Sequence, residues 1–232
     1  MEEEKTKSAV QAGAPGYFIS DMMPEVDDQF QKLKDSIVLK REKDPGLVAI
    51  MVTGESHEDG ATIVTVNLAR ALALDGKSKI LVVDGDLRRP ILHKIFSLEE
   101  GDGFSEVLMD KAPPDSAIRK TSIPKISVLP CQTRSHPSQL SMEKLDEILV
   151  QFKKNYDYII FNSSPINKYS DSIVLGAHLD AAVIVMRAEH TKWDGLERAK
   201  NQLEQKGINI LGVVMNRRKY FIPRFLYKRF IV

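Results

Sequence analysis

The sequence is poor in cysteine and has no long apolar run. Cys131 is the only cysteine among 232 residues, so neither an intramolecular disulfide nor a metal site built from several cysteines is expected. No apolar stretch reaches the roughly 18 residues of a membrane span. The acidic start MEEEKTK also has the wrong sign for a secretory signal. These absences predict a soluble protein of the reducing cytosol.

An excess of positive over negative charge is found only in the last sixteen residues. The net charge is +1, but residues 217–232 hold six Lys or Arg and no acid, which leaves −5 for the remainder. An acidic body argues against nucleic-acid binding. The tail alternates basic with large apolar residues, which predicts contact with an anionic membrane or a partner protein. Packing on the chain's own core or in an oligomer interface is the alternative. The residues that would make these contacts are Arg224, Phe225, Lys228, Arg229 and Phe230.

Short apolar runs alternate with segments of helical periodicity through most of the chain. Nearly continuous apolar strands separated by helices are typical of a mostly parallel sheet covered on both faces. We therefore predict a three-layer α/β/α domain over residues 25–216. A mobile arm is predicted for residues 1–24, which mix charge with Gly and Pro, and a basic amphipathic tail for residues 217–232.

The layout of residues 47–86 is that of a phosphate-binding strand, loop and helix. The run LVAIMVT leads into the loop GESHEDGAT and then a helical segment. A working P-loop reads G-x-x-x-x-G-K-S/T, in which the lysine reaches the phosphates and the hydroxyl binds Mg²⁺. Gly54 and Gly60 correspond to the glycines and Thr62 to the hydroxyl, but Ala61 stands in the lysine position.

The same loop carries three carboxylates, Glu55, Glu58 and Asp59. A nucleoside triphosphate brings about three to four negative charges, so the Coulomb interaction with this loop is repulsive. An ordinary phosphate cradle is therefore not expected.

A second apolar run, KILVVDGDLRRP, ends on Asp84 and Asp86. These acids are expected at the same edge of the sheet as the loop, where they form the remnant of a Mg²⁺ site. The alternative is that they only cap the turn that follows. Arg88 and Arg89 contact phosphate, a partner's acids or solvent.

With these residues assembled, the chain resembles the bacterial tyrosine kinases of polysaccharide synthesis and export, within the MinD/ParA/Mrp-type P-loop ATPases. The resemblance runs from about residue 28 to residue 216, and eight motifs follow in family order. They are NLA at 67–69, VVDGDLRRP with His93 and Phe96 after it, GFSEVL, VLP at 128–130, HPSQL, YDYIIFNSSPI, the pair Ser170 and Asp171, and LGVVMN ending on Asn216.

The resemblance implies an ATP-dependent autokinase that partners a membrane-spanning chain-length regulator. It places Thr62, Asp84 and Asp86 at the Mg²⁺ site, and Asn162 where a third aspartate belongs. The resemblance also places five residues at the nucleotide: Gly54, Gly60, Ala61, Thr62 and Asn216. Glu58 replaces a loop glycine, so Ala61, Glu58 and Asn162 together depart from the family pattern at its chemical centre.

Because phosphoryl transfer depends on positioning and charge neutralisation, these departures predict a degenerate, non-catalytic regulator or scaffold of exopolysaccharide or capsule synthesis and export. ATP or ADP with Mg²⁺ binds weakly at most, and no nucleotide is held tightly. One alternative is an active kinase or ATPase in which Arg88, Arg89 or a partner's arginine replaces the lysine. A weaker alternative is a MinD-like positioning ATPase. The expected location is the cytoplasm, peripheral to the inner membrane.

Two assembly features of the family are also altered. The E-x-x-R-x-x-R of its first helix corresponds here to Asp28, Gln31 and Lys34, so a ring is in question although a homo-oligomer stays open. The tail has only Tyr220 and Tyr227 in place of the family's tyrosine cluster.

Overall fold

The computed structural model describes residues 24–132 and 141–217. The first half of the chain begins with a long helix and contains the loop of interest. Its elements are α1 (Pro24–Lys43), β1 (Ala49–Gly54), a 3-10 turn (His57–Asp59), α2 (Ala61–Ala73), β2 (Ile80–Gly85), α3 (Leu92–Ile95), α4 (Phe104–Leu108), α5 (Pro114–Ala117), β3 (Arg119–Lys120) and β4 (Ile126–Leu129).

The second half supplies the remaining strands and the helices that cover them. Its elements are α6 (Met142–Asn155), β5 (Tyr158–Ser163), α7 (Asp171–Gly176), β6 (Ala181–Arg187), α8 (Trp193–Gln205) and β7 (Ile210–Asn216). The tail residues from 218 onward, which include the predicted membrane or partner contacts, lie outside the described residues. The same is true of nearly all of the predicted arm, so both boundaries stay predictions.

The strands form one sheet in the order β3-β4-β2-β5-β1-β6-β7. Every neighbouring pair is parallel except β3 with β4. Helices α1, α2 and α3 cover one face, and α4 to α8 cover the other. The predicted three-layer α/β/α architecture with a mostly parallel sheet is therefore confirmed.

Central strands are buried on both faces, which explains why their sequences are continuously apolar. Strands β1, β2 and β5 are buried at each of their six positions. Alternation of polar and apolar residues is absent because neither face meets water. The polar residues of these strands come at their carboxyl ends, where the candidate site lies.

Gly103, just before α4, offers a test of how tightly the second face packs. A Cβ added to Gly103 would lie 2.3 Å from the carbonyl oxygen of Pro130, so Gly103→Ala requires backbone movement. We expect it to lower the free energy of unfolding by about 1–3 kcal/mol, measured by urea denaturation. Gly212→Ala is the control, because no atom lies within 4 Å of its added Cβ. Equal stability of the two variants would contradict the expectation.

Candidate functional site

The carboxyl ends of β1, β2 and β5 meet at one edge of the sheet, as the sequence predicts. Asp84 on β2 is in register with Asn162 on β5, and the Asn162 amide Nδ2 donates to Asp84 Oδ1 at 3.1 Å. The loop that follows β1 lies over the same edge, because His57 Nε2 is 3.1 Å from Asp86 Oδ2. Predicted site residues from three strands thus come together.

The loop is closed by its own side chains. Residues 57–59 form a 3-10 turn with a capping box between Ser56 and Asp59. The Ser56 amide donates to Asp59 Oδ2 at 2.8 Å, and the Glu58 amide donates to Ser56 Oγ at 3.2 Å. In a phosphate cradle the loop amides point at the anion. Here these two amides are already used inside the protein.

Asp59 fastens the closed loop to the rest of the domain. It is 3% exposed, its Oδ1 accepts from Thr191 Oγ1 at 2.7 Å, and its backbone carbonyl accepts from Asn216 Nδ2 at 2.8 Å. Asn216, which the resemblance places at the nucleotide, therefore holds the loop instead. A Cβ at Gly60 would lie 2.3 Å from Asn216 Nδ2, and Gly60 has φ +85°, so only glycine suits this position.

Two arginines balance the other loop acids. Arg187 Nη1 is 3.2 Å from Glu58 Oε2, and Arg198 Nη2 is 3.7 Å from Glu55 Oε1. The Glu55 carboxylate also lies against the Cα of Gly195 on α8, where an added Cβ would be 2.2 Å from it. The loop acids thus face cations of the protein rather than repelling one another.

The motif positions themselves are only partly suited to a nucleotide. Gly54 is the last residue of β1 rather than a loop residue, and it precedes Gly60 by six positions where the motif has five. Ala61 and Thr62 open α2, and Ala61 is 8% exposed. The helix start is therefore in place, but its first residue carries no cation.

Asp84 is fully buried, and its carboxylate is used by protein donors. Oδ2 accepts from the amides of Ile91 and Leu92, each at 2.9 Å, while Oδ1 accepts from Asn162. Burial raises the pKa of Asp84 to about 7, although the hydrogen bonds to Leu92, Asn162 and Ile91 oppose the shift. Desolvation exceeds the hydrogen bonds because the side chain is wholly withdrawn from water.

The carboxylate of Asp86 accepts from four donors. Its Oδ1 accepts from Ser164 Oγ at 2.7 Å and from the amides of Arg88 and Arg89 at 3.2 and 3.0 Å. Its Oδ2 meets His57. Burial lowers the pKa of His57 despite this carboxylate, which favours a neutral imidazole that donates from Nε2.

The carboxylates of this site are mostly used by protein donors, so they offer few positions to a Mg²⁺ ion. A carboxylate offers about four lone-pair positions; Asp86 has four donors, and Asp84 has three. Within residues 24–132 and 141–217, no three acidic, histidine or cysteine side chains are grouped so that they could hold a metal ion. Two atoms beside Asp84, Asn162 Oδ1 and Ser163 Oγ, are buried without a partner. Both are neutral oxygens and replace no missing carboxylate.

Arg88, one of the proposed substitute cations, is engaged elsewhere. Its Nε donates to Asp171 Oδ2 at 2.6 Å, and its guanidinium lies 5.3 Å from the ring centre of Tyr169. The pair with Asp171 raises the pKa of Arg88. The side chain of Arg88 is thus bound to Asp171 on α7, whereas Arg89 donates its backbone amide to Asp86.

Sequence reasoning missed the contacts that close the site. His57, Ser164 and Thr191 each bond to one of its acids, yet none was assigned a role there. His57 stands in an irregular loop without periodicity, and Thr191 is 132 residues from Asp59. Only Ser164, two positions after Asn162, carried a usable signal.

No helix in the described residues is both long and apolar enough to cross a membrane. The predicted ring residues Asp28, Gln31 and Lys34 all lie on α1, where Lys34 Nζ is 3.7 Å from Asp35. No contact with a second copy tests the oligomer prediction.

Comparison with known proteins places the chain in a family of P-loop proteins. A family described as an AAA domain matches residues 58–209. The chain is 30% identical to the tyrosine-protein kinase YwqD of Bacillus subtilis, over 76% of this chain and 75% of that protein. It is 27% identical to the putative tyrosine-protein kinase CapB of Staphylococcus aureus, over 92% of each. It spans only 23% of the tyrosine-protein kinase ptk of Acinetobacter johnsonii, at 30% identity.

Solved structures agree with these relatives. The kinase domain of the Escherichia coli tyrosine kinase ETK superimposes with a TM-score of 0.78 at 25% identity, covering 91% of this chain and 85% of that one. The septum site-determining protein MinD of Pyrococcus horikoshii, complexed with Mg-ADP, gives 0.63 at 24% identity, with 79% and 76% covered. The second likeness concerns the fold alone.

Proposed function

Because the chain belongs to the bacterial tyrosine-kinase family of MinD/ParA-type P-loop proteins, we propose that it is a non-catalytic member that regulates or scaffolds polysaccharide synthesis and export. The observation that carries the proposal is the closed loop. The capping box of Ser56 and Asp59 uses amides that a nucleotide would need, and Ala61 leaves the loop without its cation.

The acids support the same proposal. In a phosphoryl-transfer site, carboxylates hold the metal that neutralises the transferring group. Here Asp84 and Asp86 are occupied by protein donors, and Asn162 replaces a third carboxylate with an amide that donates to Asp84. The remaining function is a surface for other proteins.

The proposed partner is a membrane-spanning chain-length regulator or export protein, with the chain in the cytoplasm at the inner face of the membrane. This role is what the family resemblance of residues 28–216 implies. The tail residues Arg224, Phe225, Lys228, Arg229 and Phe230 would contact that partner or anionic lipid. A homo-oligomer is compatible with this arrangement.

A kinase that uses a substitute cation is the competing proposal. The ion pair of Arg88 argues against it. Its ion pair with Asp171 would have to break before the guanidinium could approach a phosphate. Losing one electrostatic contact to the transition state typically costs about 10²-fold or more in rate. Two or more such contacts are missing here.

Calorimetry with Mg·ATP tests the proposal. We expect no binding heat from the wild-type protein up to millimolar nucleotide, and a dissociation constant below about 1 mM for the double variant Glu58→Gly, Ala61→Lys, which restores the cation and removes one acid. Glu58→Gly, Ala61→Met is the matched control, because methionine supplies length without charge. This control variant should give no binding heat with Mg·ATP.

Turnover is measured in parallel with YwqD as the active reference. We expect ATP hydrolysis and tyrosine phosphorylation at least about 10²-fold below that enzyme. Micromolar binding of Mg·ATP by the wild-type protein, or turnover near that of YwqD, would sink the proposal and favour the kinase.

A further inference from the structure

A groove opens at the opposite edge of the sheet from the loop. It encloses about 500 Å³. Its lining includes Lys79, Ile126 and Tyr156, which lie at or just before the starts of β2, β4 and β5. Asp84 and Asn162 lie at the opposite, carboxyl ends of β2 and β5. A ligand in this groove would therefore not compete with one at the loop.

The groove concentrates positive charge on an otherwise acidic domain. Lys79, Lys120 and Lys125 line it and are exposed. None of the three forms an ion pair among the residues that the structure describes. Asp115 is the single acid in the lining, and both of its carboxylate oxygens accept from Gln151 Nε2, at 3.1 and 3.2 Å. The lining thus carries a net charge of two positive units where the chain outside the tail is negative.

Lys125 is held in a backbone conformation that favours glycine. Its φ is +67°, which costs a residue with a Cβ about 1–2 kcal/mol relative to ordinary conformations. Its carbonyl accepts from the Ile80 amide at 2.9 Å, so the strand start fixes it there. The lysine thus occupies a position on the groove wall where the backbone would favour glycine.

The wall beside Lys125 is rigid. Thr121 Oγ1 donates between the carbonyls of Ile123 and Ile126, at 3.1 and 2.9 Å, and accepts from the Ile123 amide at 3.1 Å. On the other side, the amide of Lys79 donates to Asp157 Oδ2 at 2.7 Å. The backbones that carry the lysines are therefore positioned before any ligand arrives, which lowers the entropic cost of binding.

We propose that this groove binds a small ligand that carries two or more phosphate groups. Three exposed lysines around one groove supply positive charge for clustered phosphate oxygens, for which lysine is a common point-charge partner. Ile123, Pro124 and Tyr156 add apolar surface for a sugar or base attached to the phosphates. The volume falls in the range of small-molecule sites, about 300–1,000 Å³.

Calorimetry with sodium pyrophosphate at 50 mM salt tests the proposal. We expect the wild-type protein to bind it, Lys125→Gly to bind about fivefold more weakly, and Lys120→Ala with Lys125→Gly about 25-fold more weakly, if each lysine contributes about 1 kcal/mol at this exposure. Lys206→Ala, an exposed lysine at the end of α8, is the matched control and should bind as the wild type does.

Lys125→Gly also separates lost binding from lost folding. Glycine adopts φ +67° without strain, so the variant's melting temperature should not fall below that of the wild type. Weaker binding by a fully stable variant supports the groove. Absence of pyrophosphate binding, an equal loss in Lys206→Ala, or equal affinity for sulfate and citrate would overturn the proposal. None of these variants touches the loop, so failure here leaves the Mg·ATP test unaffected.

Discussion

At pH 8 the Asp84→Asn variant is expected to unfold at a higher temperature than the wild-type protein. Above its pKa of about 7, Asp84 is an ionised carboxylate with no exposed surface, and the ionised form is the one that burial penalises. Asparagine keeps the shape and removes the charge. Its oxygen can accept from the Ile91 and Leu92 amides, and the Asn162 amide can turn to present the oxygen that now has no partner.

The gain should depend on pH in a defined direction. The pKa of Asp84 is raised in the folded state, so its contribution to stability is full below about pH 4 and is lost as the pH rises through 7. At 1.36 kcal/mol for each pKa unit, the loss in the wild type reaches about 4 kcal/mol at pH 8 as an upper bound. With about 2–4 °C per kcal/mol for a domain of this size, Asp84→Asn should melt up to about 16 °C higher at pH 8 and equally at pH 4.

Thermal melts at pH 4, 6 and 8 with circular dichroism provide the measurement. Asp86→Asn is the matched control, because Asp86 accepts from four donors, including Ser164 and His57. An amide nitrogen cannot accept, so this variant should lose stability at every pH. A melting temperature of Asp84→Asn that lies at or below the wild-type value at pH 8 would contradict the expectation. It would mean that the carboxylate is stabilised by its donors more than it is penalised by burial.

The Phe161→Ala variant should lose about 3–5 kcal/mol of unfolding free energy. Phe161 lies on β5 in the middle of the sheet with none of its surface exposed. Its ring meets that of Phe104 edge to face, with centroids 5.9 Å apart. Removing it leaves a cavity between β5 and α4 and breaks an aromatic pair that adds about 0.5–1.5 kcal/mol to the burial.

Urea denaturation measures the loss, and Trp193→Ala serves as the control. Trp193 is larger than Phe161 but 73% exposed at the start of α8, so its removal should change stability by less than about 0.5 kcal/mol. A loss below 1 kcal/mol for Phe161→Ala would mean that the surrounding side chains collapse into the space. Combining Phe161→Ala with Phe104→Ala would then show less than additive losses.

The fold was accessible from sequence because its main determinants are local. The runs at Ile80–Gly85 and Tyr158–Ser163 are apolar at their first four positions without alternation, which is the pattern of strands covered on both faces. The helical segment that the sequence indicates after the loop is helix α2, Ala61–Ala73. Strand pairing follows from the alternation of strands and helices, which permits few arrangements.

Only part of the candidate site could be predicted from the sequence. Asp84 and Asn162 could be placed together because each ends a strand of one parallel sheet. Whether their carboxylate and amide would meet an ion or each other depends on side-chain packing, which no motif encodes. The bond between Asn216 and the Asp59 carbonyl joins residues 157 positions apart. A contact of that range leaves no local signal, so the closure of the loop appears only in three dimensions.

The strand order also determines when the protein can fold during synthesis. The ribosome synthesises strand β1 early. Both of its neighbours in the sheet, β5 and β6, follow about a hundred or more residues later. At about 5–20 residues per second, the segment Ala49–Gly54 waits on the order of 5–20 s for its partners. Through that interval its apolar side chains have no sheet to enter. We therefore expect chaperones to bind the nascent chain during this interval. Slower synthesis would lengthen the period in which the chain can aggregate.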